Sequence, residues 1–527
     1  MPLTIIASNV IGAAPVHIFT ADGDDLLIAP GVIAANTTGA AISGLGFENL
    51  SIDIQGTLIT RGSLQITGDN SYLTIGQNGY LTGSGFASGT AVIQYTGSPG
   101  SVVVNRGTIS ANSSVALLTD GGVTIINQGL IDGADPVFLG LFGGAGDRLV
   151  NAGSIVAGST SESYTDSRDN NGVVSTGEQT IINNLAGGQI VGTFITGAGV
   201  AFNGSGGGTI FNAGEIVSQQ YHGVNFGDSS ATLSRLVNSG TITGFLTSFN
   251  GSNQSDLVTN RGQMIGDVNM GADADTLDNR GGIIEGDVSL GGGNDRYVGT
   301  AGGSVSAAVY GDSGADTFFG NQNAAEVFVG GADTDTLDFR LGGAVTLALD
   351  LSFATGGAAL GDTYFEMENV FGSDIGDDVI RGNGFANALF GFAGNDSLDG
   401  ASGNDVLRGG TGVDTLTGGI GNDTFRFSAL NECGDQITDF GNILSSDDRF
   451  QITAAAFGGG LVAGVLAANQ FVTRADNLAQ DADDRFIFNT TDQTLWFDSN
   501  GNAAGGLTMV ADLQAGALVT AADILLI

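Results

Sequence analysis

Lysine is missing altogether from this 527-residue chain: its fifteen cationic residues are all arginine, against fifty-five acids, for a net charge of −40. Without lysine there is no Schiff-base chemistry and no phosphate-binding P-loop. Cysteine occurs once, at Cys433. An internal disulfide and a cysteine-built zinc site are both excluded, and the thiol reads as a packed side chain. The two histidines, His17 and His222, cannot assemble a His-Glu-x-x-His zinc centre, and they read as ordinary surface or packed residues. A nucleophilic triad would have to use one of them, and no Gly-x-Ser-x-Gly elbow occurs. Five prolines exclude a collagen-like or proline-rich chain. No apolar run reaches eighteen residues, so no transmembrane helix is expected. The opening MPLTIIASNV carries no cation before Arg61, which reads against a cleavable secretory signal.

What is present is glycine, 90 residues, and an apolar fraction of 42% spread along the chain, enough to bury a core. The acids are mostly aspartate: nine are glutamate, leaving 55 − 9 = 46 aspartates. Such a chain repels nucleic-acid phosphates and anionic lipid, so neither nucleic acid nor membrane insertion is expected. It calls for cations. The preference for Asp over Glu suits oxygen ligation of a hard cation at tight turns.

Helical periodicity is scarce. Short apolar runs alternate with Gly, Asn and Asp clusters, which reads as short strands joined by tight turns. One repeat family is Asn-x-Gly-x-apolar, at Asn105, Asn127, Asn151, Asn212, Asn238, Asn260 and Asn279, with a variant at Asn184. The spacings, 22, 24, 33, 28, 26, 22 and 19, fit one coil of a parallel β-helix each. Apolar side chains would stack inward, and the Asn amides would ladder from coil to coil.

The second family has a period of nine: Asp378, Asn387, Asp396, Asp405, Asp414 and Asp423. Each follows glycines and precedes an apolar residue two positions on, as in GNDSLDGASGNDVLRGGTGVDTLTGGIGNDTF from Gly394. Between the families, Asp256, Asp275, Asp295, Asp316 and Asp335 recur at 19 to 21 residues, and GGAGDRLVNAGSI from Gly143 joins both motifs. The acidic loop thus comes once per coil early and twice per coil late, as in one solenoid whose cross-section shrinks.

A two-strand coil of eighteen residues would stack Asp378, Asp396 and Asp414 on one edge and Asn387, Asp405 and Asp423 on the other. Carboxylates about 5 Å apart repel by roughly 3 kcal/mol at an effective dielectric near 20. Ca2+ reverses the sign, because it takes six to eight oxygens, and Mg2+ suits such loops poorly. The expected ligands are those aspartates and Asn387, with carbonyls aimed by Gly391, Gly394, Gly400, Gly403, Gly409, Gly412, Gly418 and Gly421. Asp275, Asp295, Asp316 and Asp335 are candidates for the single loops. Metal binding would then be linked to folding.

Residues 370–527 resemble the C-terminal part of RTX proteins exported by type I secretion, including the serralysin-type C-terminal module. FEMENVFGSDIGDDVIRGNG resembles the entry to the β-roll and GGIGNDTFRF its exit. DQITDF, RFIFNTTDQTLWFDSNGN and TAADILLI resemble the module carrying an uncleaved export signal. The resemblance implies passage through the type I machinery to the exterior or cell surface of a Gram-negative bacterium. Within that module Asp498, Asn500 and Asn502 offer one more calcium loop. The N-terminal half resembles β-helical adhesins and autotransporter passengers, and the acidic, lysine-free composition is similar to that of surface-layer proteins.

The expected fold is all-β: a right-handed parallel β-helix over 1–255, transitional coils over 256–340, an RTX β-roll over 341–430 and a small β-rich secretion module over 431–527. The expected function is that of a calcium-dependent structural protein of the cell surface or matrix (surface layer, adhesin or biofilm type), with self-association or cell-surface polysaccharide as its contacts. The rival is a β-helical polysaccharide lyase or uronan epimerase bearing an RTX module. Such an enzyme needs a basic, aromatic groove with an acid or base. Residues 1–290 hold only seven arginines, at 61, 106, 148, 168, 235, 261 and 280, and ADPVF around Asp135 has no histidine. Arg106, Arg261 and Arg280 each follow a repeat Asn, as coil positions do. No enzyme is expected.

Overall fold

A computed structural model describes residues 3–43, 46–83, 91–96, 99–111, 115–140, 146–157, 171–177, 179–193, 197–203, 207–227, 233–300, 302–320, 325–441 and 447–527. Arg168 and the start of the motif at Gly143 lie outside them. The chain forms two compact units: Met1–Tyr297 with Gly303–Tyr310, and Val298–Gly302 with Gly311–Ile527. Both are β-structures with long parallel sheets, as the repeats predict for a β-helix and β-roll.

In the first unit each repeat is one coil. Strands such as Val102–Asn105, Thr124–Asn127 and Arg148–Asn151 pair in parallel, with the repeat asparagines as register partners. After the Asn-x-Gly bend the chain enters a second sheet, through Thr108–Ala111, Leu130–Gly133 and Ser154–Ala157. Alternation along each strand turns every second side chain inward. Leu73, Val103, Ile125, Leu149, Ile182, Ile210, Leu236, Val258 and Leu277 therefore form one fully buried column in register. Burying each such side chain contributes about 1.5–3 kcal/mol. The bend glycine is required by the closeness of the coils. A Cβ at Gly129 would lie 2.0 Å from the Gly107 carbonyl oxygen, and one at Gly240 2.1 Å from that of Gly214.

The asparagines tie this stack together. Nδ2 of Asn105 donates to Oδ1 of Asn127, and the pattern repeats at 2.8 Å through Asn151, Asn184, Asn212, Asn238, Asn260 and Asn279. All eight side chains are buried. Primary amides suit this place because each carries both a donor and an acceptor.

In the second unit the coil shortens to two strands. Ala388–Ala393, Val406–Thr411 and Thr424–Phe427 stack in one parallel sheet. Val379–Arg381, Ser397–Asp399 and Thr415–Thr417 stack in the other. The register steps by eighteen residues, as the nine-residue period predicts. Leu389, Leu407, Phe425 and Phe450 form one inner column; Leu347, Ile380, Leu398, Leu416, Ile437 and Leu513 form the other. Both sheets run past residue 430, through Asp435–Ile437 and Arg449–Ile452. Leu507–Leu513, Thr494–Asp498 and Phe486–Asn489 follow in antiparallel order. Among the described residues no helix is long and apolar enough to cross a membrane.

Candidate metal centre

Each acidic loop leads into a strand, and its aspartate sits fully buried at the loop's end. One carboxylate oxygen is clamped by the coil before. The Asp378 amide donates to Asp396 Oδ1 at 2.8 Å, that of Asp396 to Asp414 Oδ1 at 2.8 Å, and that of Asp414 to Asp435 Oδ1 at 3.1 Å. On the other edge the chain of bonds runs from Asn387 to Asp405, Asp423 and Asp448, at 2.7 to 2.9 Å. The second oxygens of Asp396, Asp405 and Asp423 are buried and accept no hydrogen bond. A buried anionic oxygen without a partner is costly. Burial, reinforced by neighbouring carboxylates, accordingly pushes Asp396 and Asp405 up to about 7 and Asp423 to about 6.

The glycines five residues before each aspartate explain what these oxygens face. A Cβ at Gly391 would lie 2.1 Å from Asp396 Oδ2 and 2.7 Å from the Gly409 carbonyl oxygen. At Gly400 the same distances are 2.3 Å to Asp405 Oδ2 and 2.5 Å to the Gly418 oxygen. A Cβ at Gly409 or at Gly418 would likewise lie 2.0 Å from Asp414 Oδ2 or 2.5 Å from Asp423 Oδ2. At each of Gly391 and Gly400 an anionic oxygen and a main-chain carbonyl of the next coil converge where only a hydrogen fits. Gly394, Gly403, Gly412 and Gly421 have φ between 136° and 152°, and their α-carbons face a carbonyl of the preceding coil.

Among the described residues no three His, Cys, Asp or Glu side chains converge on one point. The donors are one carboxylate per loop plus main-chain carbonyls, an all-oxygen set that fits Ca2+ and not a soft metal. Asp396, Asp405, Asp414 and Asp423, with the neighbouring carbonyls, would hold it. When bound, Ca2+ supplies the positive charge that keeps stacked carboxylates ionised.

The remaining predicted residues share these features only in part. Asp378 uses both oxygens within the protein, taking the Val345 and Ser373 amides at 2.7 Å. Asn387 donates its amide to the Glu368 carbonyl at 2.9 Å and accepts from the Asn383 amide. Asp275 is clamped by the Asp256 amide and Asp295 by that of Asp275. The cradle position before them holds Met270 and Leu290, both fully buried, instead of glycine. Asp316 and Asp335 keep it, as Gly311 and Gly330. Asp498 caps the Asn500 amide at 3.0 Å, and the Asn500 and Asn502 side chains donate to main-chain carbonyls. Asp435, Asp448 and Glu368 also join the ladders. Asp435 and Asp448 break the nine-residue spacing, but each still precedes an apolar residue two positions on, Ile437 and Phe450.

His222 bonds Thr247 through Nδ1 at 2.7 Å, and burial holds it down at about 4. His17 packs edge-on against Phe19. Arg261 and Arg280 both pair with Asp278 at 2.7 Å. Burial, with Asp435 and Glu432 nearby, pushes the Cys433 thiol up to about 12.

Residues 373–407 and 399–429 match the family model of the RTX calcium-binding nonapeptide repeat (4 copies). The chain is thus an RTX repeat protein over that stretch, and these repeats bind Ca2+. Among solved structures it is similar to the AlgE6R3 subunit of the Azotobacter vinelandii mannuronan C5-epimerase, at 30% identity and a TM-score of 0.20. That likeness covers 28% of this chain and 78% of the other. No curated protein matches.

Proposed function

We propose that the chain is a secreted, calcium-binding structural protein of the cell surface or extracellular matrix, which folds and assembles on binding Ca2+. It serves as a surface-layer subunit, adhesin or biofilm-matrix component. The observation that carries this reading is the pair of aspartate ladders with buried, unpartnered second oxygens, set in a chain whose other repeats stack through neutral asparagine amides. Extracellular calcium modules bind at about 0.1–1 mM. The second unit is therefore loose in the low calcium of the cytosol and ordered outside, which suits export through a type I channel. RTX proteins are typically secreted, which supports the extracellular setting. Further copies of the chain and cell-surface polysaccharide are the proposed contacts.

Localisation on intact cells, with and without chelator, tests the role. A surface coat stays on cells in millimolar Ca2+ and is released by EGTA. Free protein in both conditions would contradict it. Light scattering tests assembly: particle size grows with Ca2+, and a strict monomer in both conditions would overturn self-association. The proposal includes no catalysis. Uronate polymers should yield no unsaturated-product absorbance, and a signal would establish the lyase reading instead.

A further inference from the structure

The matched repeats begin at residue 373, yet the loop at 330–335 is built as theirs are. Asp335 is fully buried, and its Oδ1 accepts the Asp316 amide at 2.8 Å. Its Oδ2 is buried and has no hydrogen-bond partner. A Cβ at Gly330 would lie 2.5 Å from that oxygen and 2.0 Å from the Glu366 carbonyl oxygen. This is the convergence of carboxylate and carbonyl found at Gly391 and Gly400. The loop backbone also agrees. Gly331 and Asp333 take φ of 111° and 81°, where Ala401 and Gly403 take 71° and 136°. From the next coil, Glu368 accepts the Asp335 amide at 2.9 Å through Oε2, in the place an aspartate holds in the matched repeats.

We infer that the loop at 330–335, completed by the Glu366 carbonyl and the Glu368 carboxylate, is a further binding site for a hard divalent cation, Ca2+, upstream of the nonapeptide repeats. The inference rests on the reading of those repeats as calcium sites. It selects among the single-acid loops by their glycine. At Gly330 the two oxygens converge on the place a Cβ would occupy, whereas the position before Asp275 is filled by the buried Met270. The calcium-binding stretch then starts at least one coil earlier than the sequence period, and stops short of the Asp275 loop.

The test is calcium stoichiometry of the full chain, by titration calorimetry with Ca2+ alone, for wild type, Asp335→Asn, Gly330→Ala, Glu368→Gln, Asp405→Asn and Asp275→Asn. Circular dichroism at saturating Ca2+ checks that each variant folds, and Glu368→Gln, at a half-buried position, serves if the buried changes do not. Asp335→Asn, Gly330→Ala and Asp405→Asn should each lose about one ion. Glu368→Gln should weaken one site about tenfold, and Asp275→Asn should lose none. Wild-type stoichiometry in Asp335→Asn, Gly330→Ala and Glu368→Gln, with a loss in Asp405→Asn, would overturn this inference alone. No loss in any variant would overturn the calcium reading of the repeats as well. An ion lost with Asp275→Asn would overturn the glycine criterion.

Discussion

Two kinds of ladder run through this protein, one of asparagine and one of aspartate, and they solve the same problem differently. Both link the same position in successive coils by hydrogen bonds at fixed register. In the first unit the amide of Asn151 accepts from one neighbour and donates to the next, so the stack closes on itself. In the second unit the carboxylate of Asp405 accepts at Oδ1 from Asn387 and has nothing to donate, and its Oδ2 is left buried. An amide ladder is neutral, and this one leaves an oxygen unpaired only at its first member, Asn105. A carboxylate ladder at neutral pH lacks a counter-charge. The chemistry of one atom, nitrogen or oxygen, decides which ladder lacks a counter-charge, and the cradle glycine, present at Gly400 and replaced by Met270 before Asp275, decides where a metal can supply it.

The comparison can be broken most severely at the cradle glycine. Gly400→Val places side-chain atoms against Asp405 Oδ2 and the Gly418 carbonyl oxygen. It should abolish the calcium-induced gain of β signal in the second unit, followed by circular dichroism against Ca2+ concentration. An unchanged titration would show that the cradle has no part in folding.

Next in size is Asn151→Ala. It removes two buried ladder bonds and leaves Asn184 Oδ1 without its donor. The expected cost is on the order of 2–4 kcal/mol, equal with and without Ca2+. A denaturant midpoint for the first unit that shifts only in Ca2+ would undo the distinction between the ladders.

Asp405→Asn makes the second ladder resemble the first. It should raise the stability of the second unit in EGTA and lower it in saturating Ca2+. A change of the same sign in both conditions would contradict the account.

The smallest effect is graded by pH. An unfolded Asp titrates near 3.8, whereas folded Asp396 and Asp405 titrate at about 7. Below pH 4 these groups are protonated in both states. Between pH 4 and 7 the metal-free folded state holds protons that the unfolded chain has released, so its stability falls as pH rises. Calcium affinity should rise over the same window, because protons and metal compete for Oδ2. The β signal of the metal-free second unit by circular dichroism in EGTA and calorimetric calcium affinities across pH 5 to 8 check both slopes, and parallel slopes would refute the linkage.

Much of this architecture was legible in the sequence because strict periods leave few geometries. Nine residues between Asp396 and Asp405 fix a two-strand coil, and Asn-x-Gly marks a bend where coils touch. The amide ladder followed from Asn chemistry alone. The division of labour between Oδ1 and Oδ2 was not legible, because it depends on where the amide of the previous coil lies. Asp378 reads like its successors, yet Ser373 and Val345 satisfy both its oxygens. Asp435 and Asp448 were hidden because insertions displace them from the period while the strands after them stay in register. Met270 and Leu290 look like ordinary apolar residues, and only packing shows that they stand where a cradle glycine stands elsewhere.

The most direct test of the central claim is amide hydrogen exchange on the full chain, with millimolar Ca2+ and with excess EGTA at pH 7.5. Chelation should remove protection from the strands between Val379 and Ile452 while those between Val102 and Asn260 keep theirs. Equal protection across Val379–Ile452 in both conditions, or equal loss in both regions, would contradict it.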